Sequence, residues 1–275
     1  MNSLNDRGEG ELDDLINVIK EVYGYDFSNY AKSSFWRRVQ RLMAKARVGS
    51  VHEMVQQLLV DKPFFDWFLE SVTVNVTEMF RDPDFYKELR TNVIPTLASY
   101  PTIKVWHAGC STGEEVYSMA ILLWEAGLLN RTRIYATDIN PANIEKAHQG
   151  IIPLASLKEY TTNYRQSGGT NDFSTYYTGR YDQAIIHKEL RKNIVFHQHN
   201  LVTDQVFNEF NLICCRNVLI YFNKELQDRV FRLFFDSLVP LGYLATGLKE
   251  SLMFTSINTE FDTISQPSKI FRRKA

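Results

Sequence analysis

The stretch VWHAGCSTGEEVYSMAILLWEAGL, Val105 to Leu128, constrains the chain more than any other. A short apolar run reaches Gly109, passes through Cys-Ser-Thr-Gly, and turns into apolar residues at helical spacing. A strand, a glycine-containing turn and a helix start form the unit on which open α/β sheets bind nucleotides. Backbone N–H groups at such a helix start face the ligand, and the missing Cβ at Gly109 and Gly113 lets it come close. A dinucleotide fold would show G-x-G-x-x-G, with a pyrophosphate on the helix dipole. Here the spacing is G-x-x-x-G, and Glu114 and Glu115 occupy the first turn. Two carboxylates there repel a pyrophosphate and suit a ligand with positive charge and hydroxyls but no phosphate. S-adenosylmethionine, with an ammonium, a sulfonium and a ribose diol, is such a ligand.

A second apolar run, IYATDIN, carries Asp138 about 25 residues beyond Gly113, where an acid either accepts ribose hydroxyls or caps the next helix. From about residue 92 strands alternate with helices. TIKVWHAG, TRIYATDI, FNLICCRN and YLATG read as strands; EEVYSMAILLWEAGL, PANIEKAHQG and NKELQDRVFRLFFDSLVPLG read as helices. The closing FDTISQPSKIFRRK reads as two runs around a Gln-Pro turn that could add an antiparallel edge. This rhythm predicts a mostly parallel sheet with right-handed crossovers over residues 91–275. One interval breaks it: about 154–196, rich in aromatic and β-branched residues between Ser-Gly-Gly-Thr-Asn and Thr-Gly turn signals, predicts a small β-rich insertion.

Residues 1–90 read instead as a helical N-terminal domain. Leu12, Leu15, Ile16, Ile19 and Val22 share one helical face, and Phe35, Val39, Leu42 and Ala46 share another. SVHEMVQQLLVDKPFFDWFLESV supplies one or two short helices interrupted at Pro63. The net charge of −1 gives the whole molecule no strong polyelectrolyte signal, yet no acid lies between Asp26 and Glu53. Over about 31–47, Arg38, Arg41 and Lys45 form a basic helix face, which is either a solvated surface or a contact for an acidic partner.

The polar, acidic start argues against a signal peptide, and no apolar run reaches the roughly 18 residues needed to cross a bilayer. Cys110 and the adjacent pair Cys214 and Cys215 make a disulfide framework unsuitable and favour a reducing cytoplasm; no spacing resembles a metal site.

SVTVNVTEMFRDPDFYKEL, VWHAGCSTGEEVYSMAI, IYATDINPANIEKAHQGII and FNLICCRNVLIYFNKELQ together resemble the successive motifs of the CheR-type chemotaxis receptor methyltransferases. The ordered set N-x-T-x-x-F-R, S-T-G-E-E and C-R-N-x-x-I-Y-F carries the likeness, which covers nearly the whole chain. The resemblance implies a class I (Rossmann-like) S-adenosylmethionine-dependent methyltransferase core with a helical N-terminal domain and a β-rich insertion. It implies methylation of glutamate side chains on receptor cytoplasmic helices, leaving S-adenosylhomocysteine as product. Cofactor contacts are implied at Asn75, Thr77, Arg81, Glu115, Asp138, Asn200, Leu201, Cys215 and Arg216, beside the turn at Gly109. Arg81 and Tyr221 match residues placed next to the reacting methyl group, and Arg38, Arg41 and Lys45 are expected to face the receptor helix. The insertion resembles a subdomain that in some members captures a receptor C-terminal peptide. One departure stands out: the family's Gly-His-Ser-Glu after the fourth strand is replaced by TGLKES, Thr246 to Ser251.

A glutamate acceptor is already ionised at neutral pH, with a reference pKa of about 4.3, so no general base is required. Two other readings compete. The basic helix could hold nucleic acid for base methylation, but near-zero net charge and the lack of interleaved aromatics oppose it. The scaffold could also be a non-catalytic S-adenosylmethionine-binding regulator, against which the retention of Arg81 and Tyr221 speaks. A monomer is the default expectation.

Overall fold

The computed structural model describes residues 6–275; the first five residues of the polar start lie outside the described residues. Two compact units divide the chain. One takes the described residues through Val74 together with Leu219–Val230, and the other takes Asn75–Val218 and Phe231–Ala275.

The first unit is helical: α1 (Asp6–Tyr23), α2 (Lys32–Ala46), α3 (Val51–Val60) and α4 (Lys62–Val72). Leu12, Leu15, Ile16 and Ile19 of α1 are buried as their spacing predicts, together with Phe35, Val39 and Leu42 of α2. Val22 departs from that face and is 50% exposed. The break between α3 and α4 falls at Asp61, whose side chain accepts the Phe64 N–H at 3.2 Å and caps the new helix, with Pro63 in its first turn. Ser50 caps α3 in the same way through the Glu53 N–H at 3.2 Å. The segment from the C-terminal half of the chain is tied in by a bridge between Tyr30 and Phe222. The Ala31 N–H also donates to the Tyr221 carbonyl at 2.9 Å.

The second unit opens with α5 (Pro83–Glu88), a π-helical turn (Leu89–Val93) and α6 (Ile94–Leu97). There follow β1 (Ile103–Ala108), α7 (Glu114–Glu125), β2 (Thr132–Asp138), α8 (Pro141–Gln149), β3 (Ile151–Pro153), α9 (Leu157–Gln166), β4 (Tyr177–Arg180) and β5 (Gln183–Ile186). The chain continues through α10 (Lys188–Arg191), β6 (Ile194–Gln198), β7 (Phe210–Cys215), α11 (Lys224–Asp236), whose residues through Val230 belong to the first unit, β8 (Leu238–Thr246), β9 (Phe261–Ser265) and β10 (Ile270–Arg273). Seven strands form one sheet in the order β6-β2-β1-β7-β8-β10-β9. The pairings from β6 to β8 are parallel, and β10 and β9 close the edge antiparallel. The order runs outward from β1 on both sides, so the switch point where open α/β sheets bind ligands lies between the carboxyl ends of β1 and β7, with the end of β2 next to β1 on the other side.

Three sequence expectations change. The boundary falls at Asn75 rather than near 90, because Met79, Phe80, Phe85, Tyr86 and Leu89 share one buried core with Val105 and Val116. The insertion holds its own antiparallel sheet, β3-β5-β4, but also the helix α9. Its last stretch, 194–196, belongs to β6, a parallel edge strand of the main sheet paired with β2. Periodicity gives a strand its face and not its partner, so IVF could not be assigned to either sheet from pattern alone. Finally, α11 stops at Asp236, and the Leu-Val-Pro-Leu-Gly that continues its apolar pattern extends β8 instead.

Candidate active site

The turn after β1 forms as its glycines require. Gly109 sits at φ 76°, and a Cβ there would lie 2.4 Å from Val218 Cγ2, so no side chain is tolerated. Gly109 and Cys110 both donate their N–H to the Thr137 carbonyl at 2.8 Å, which pins the turn to the end of β2. Gly113 follows as the left-handed N-cap residue of α7.

Asp138 ends β2, buried at 8% exposure. Its Oδ2 accepts the Ser111 N–H at 2.8 Å, and its Oδ1 accepts the Asn140 N–H at 2.9 Å and Asn143 Nδ2 at 3.2 Å. Burial raises its pKa, and those hydrogen bonds only partly oppose the rise. Asn140, rather than Asp138, caps α8 through the Ala142 N–H at 2.9 Å. Asn143 Nδ2 also donates to Asn75 Oδ1 at 2.8 Å and so joins Asn75 to the Asp138 cluster. The His199 N–H donates to the Asp138 carbonyl at 3.1 Å, which brings the Asn200–Leu201 segment to the same strand end. Asn200 holds its own loop closed, its Oδ1 accepting the Val202 N–H and its N–H donating to Asp204. Thr77 lies half-buried between Asn75 and Arg81.

Glu115 has a different environment. Its Oε1 lies 2.9 Å from His107 Nδ1 and its Oε2 2.9 Å from Arg216 Nη1. Burial alone would raise its pKa, but the Arg216 guanidinium and the His107 contact overcome this and hold the carboxyl at about 2. Arg216, just past the buried Cys215 at the end of β7, also donates through Nη2 to Asp82 Oδ2 at 2.6 Å and to the Arg81 carbonyl at 3.2 Å. Its guanidinium carbon lies 4.1 Å from the Phe85 ring centroid. Glu114 is buried, accepts from Thr112 Oγ1 at 2.7 Å, and has a pKa raised by burial. The two first-turn glutamates therefore have different surroundings: Glu115 is matched by an arginine, whereas Glu114 has a hydroxyl partner and a pKa raised by burial. His107, Glu115 and Cys214 also place one potential metal-ligand atom each within 4.8 Å of one another, but with Arg216 on Glu115 this cluster carries its own cation.

Arg81 does not use Asp82 or Asp84 as its hydrogen-bond partner; its Nη1 donates to the Val76 carbonyl at 3.2 Å. The flanking Phe80 and Asp82 are both left-handed, at φ 54° and 56°. Such backbone is held only where the surroundings over-determine it, and here the Arg216 bonds and the Phe80 N–H to Ser118 Oγ at 2.9 Å do so.

In the helical unit, Arg41 and Lys45 are exposed as expected, and Arg38 is not. Arg38 Nη1 donates to the Val72 carbonyl at 2.7 Å, and its guanidinium carbon stands 4.9 Å from the Tyr221 ring centroid, with burial lowering its pKa. The exposed stripe is Arg37, Arg41 and Lys45, spaced four residues apart. Arg37 was legible by that spacing, whereas Asn143, His107 and Ser111 had only their places within the quoted motifs to mark them.

Ser111 Oγ and Asn143 Oδ1 are buried without a hydrogen-bond partner among the described residues, next to a carboxylate at the carboxyl edge of the sheet. Polar atoms of this kind suit a ligand's hydroxyls. With the Cβ-free Gly109 in the turn beside them and two glutamates where a phosphate would sit, they fit S-adenosylmethionine. The fold and the site define an S-adenosylmethionine-dependent methyltransferase. Residues 75–270 match the family described as "CheR methyltransferase, SAM binding domain", and residues 10–73 match "CheR methyltransferase, all-alpha domain". The chain belongs to the CheR methyltransferase family. It is 49% identical to "Putative methyltransferase Cher3" of Pseudomonas putida over 94% of this chain and 95% of that one. It is 33% identical to a "Chemotaxis protein methyltransferase" of Listeria innocua over 86% of this chain and 88% of the relative. The match to the protein of that name from Salmonella typhimurium is 29% over 92% and 86%.

Proposed function

We propose that the enzyme transfers a methyl group to glutamate side-chain carboxylates on the cytoplasmic helices of chemotaxis receptors, the step that resets a receptor after stimulation. The observation that carries this reading is the 33% identity, over 86% of the chain, to a protein named for chemotaxis methylation. S-adenosylmethionine supplies a methyl group already activated on a sulfonium. The acceptor carboxylate is ionised at neutral pH, so the protein's part is to orient it and strip water from it.

Asp138, Ser111 and Asn143 take the donor's diol, with Asn75 and the Asn200–Leu201 loop beside them, and the family likeness adds Cys215 and Arg216. Arg81 is the group that holds an acceptor oxygen through a charged hydrogen bond, and the Tyr221 hydroxyl is the second group the family likeness assigns to the reaction. Arg38 serves Tyr221 by covering its ring, while Arg37, Arg41 and Lys45 attract the acidic receptor helix. In this division of labour the helical unit recognises the substrate and the α/β unit binds the donor. The exposed strand β4, at the edge of the insertion sheet, could add a receptor C-terminal peptide as a further strand. No helix among the described residues is long and apolar enough to cross a membrane. In this reading the enzyme meets its receptors from the cytoplasm, as a monomer.

The test is transfer of radiolabelled methyl from S-adenosylmethionine to receptor cytoplasmic fragments. Label that mild base releases is the expected carboxyl ester. Base-stable label, or label that goes to nucleic acid instead, would overturn the assignment.

A further inference from the structure

The loop after β8, TGLKES at Thr246–Ser251, keeps the outer Gly and Glu of the Gly-His-Ser-Glu pattern as Gly247 and Glu250, with Leu248 and Lys249 between them, and has no part in the function proposed above. It contains a carboxylate that is almost completely buried: Glu250, 4% exposed. Glu250 Oε1 accepts the Val218 N–H at 2.9 Å, and Oε2 accepts the N–H groups of Asn217 at 3.2 Å and Gly247 at 2.5 Å. Asn217 is left-handed at φ 62°. A left-handed residue in a turn aims successive N–H groups into one concavity, and such a concavity takes an anion. Close approach is enforced by Gly247, where a Cβ would stand 2.7 Å from the Asn217 nitrogen and 2.8 Å from Glu250 Oε2.

What Glu250 holds is next to the donor site. Val218 packs its Cγ2 over Gly109, so that a Cβ added to Gly109 would stand 2.4 Å from it. On its other side the same turn is fastened to Thr137 and Asp138. The turn therefore sits between a strand end that binds it directly and a valine that can press on it only while its own main chain is fixed. We propose that Glu250 is a positioning residue for donor binding: it clamps Asn217 and Val218 so that Val218 seats the Gly109 turn. This rests on the reading of that turn as the S-adenosylmethionine site.

The experiment titrates S-adenosylhomocysteine calorimetrically into wild type, Glu250→Gln and Val218→Ala. Glutamine keeps the size but has one acceptor oxygen, and it turns an amide N–H toward a main-chain N–H. Glu250→Gln is expected to weaken binding about tenfold, the loss of roughly one charge-assisted hydrogen bond, and Val218→Ala about threefold. Amide exchange at Asn217 and Val218 should accelerate in Glu250→Gln, and the KM for S-adenosylmethionine should rise while kcat at saturating donor stays within about twofold. Faster exchange at those amides with unchanged affinity would mean that Glu250 supports only its own loop, and the proposal would fail. Should Glu250→Gln not fold, unaltered affinity in Val218→Ala overturns the proposal by itself. A wild type that ignores S-adenosylhomocysteine sinks the donor reading instead, an outcome no variant is needed to see.

Discussion

The two units treat buried arginine in opposite ways. In the α/β unit, Arg216 has a side chain 1% exposed and is bonded to two carboxylates, Glu115 and Asp82. In the helical unit, the half-buried Arg38 is given carbonyl oxygens and aromatic rings instead, and burial lowers its pKa. A buried charge with counter-charges is fixed in place, because breaking the pair strands the partner. A charge held by neutral groups keeps its field available, and the exposed Arg37, Arg41 and Lys45 have even less to hold them. The α/β unit thus uses cationic charge to build its site, whereas the helical unit packs Arg38 against neutral groups and presents Arg37, Arg41 and Lys45 outward.

The largest effect should come from breaking the first arrangement. Glu115→Gln leaves Arg216 short of one counter-charge, and folding stability at neutral pH should fall by about 3 kcal/mol. The pH dependence identifies the cause. Glu115 has a folded pKa near 2 against an ordinary 4.5, so its contribution is fully present above 4.5 and fades as pH falls toward 2. Denaturant unfolding of wild type and variant should therefore converge as the solution is acidified. A gap that stays constant down to pH 3 would show that lost packing, not lost charge, is responsible. Asp138, whose folded pKa is raised, acts with the opposite sign: it favours the folded state most below its ordinary pKa and less as pH rises through the folded value.

That contrast also separates what the sequence could tell from what it could not. The strand, turn and helix at 103–125 and the acid at the end of β2 were legible because each depends on local spacing. The core faces of α1 and α2 were legible from period alone, Val22 excepted. The fate of a charge was not legible, since it depends on what the fold brings to it. Glu115 meets Arg216 from 101 residues away, and nothing local separates Arg38, which faces inward, from Arg41, which faces out. The strand β6 was misassigned for the same reason: its partner β2 lies beyond the insertion, and its own pattern fits either sheet. Asn143 is the clearest omission, an ordinary helix residue by sequence that joins Asn75 to Asp138 in the fold.

A smaller effect, on binding rather than folding, should follow Asp138→Ala. Hydrogen bonds from ligand hydroxyls to a carboxylate are worth on the order of 2 kcal/mol together, so S-adenosylhomocysteine affinity should fall roughly 30-fold by calorimetry. If Asp138 served only to fasten the Ser111 and Asn140 N–H groups, thermal stability would drop and affinity would follow it only weakly.

The smallest effect tests the outward charge. Reversing Arg37, Arg41 and Lys45 to Glu should leave S-adenosylhomocysteine affinity unchanged and slow methylation of receptor fragments about tenfold at low salt, because steering acts on encounter and not on chemistry. The gap should close as salt shortens the Debye length from about 10 Å at 0.1 M to about 3 Å at 1 M. Arg38→Gln is the internal control. Its guanidinium is packed against Tyr221 and tied to Val72, so its loss should lower the rate by an amount that salt does not restore. Equal salt dependence in both variants would put Arg38 back on the stripe, and salt-insensitive kinetics in the reversed stripe would remove the steering role altogether.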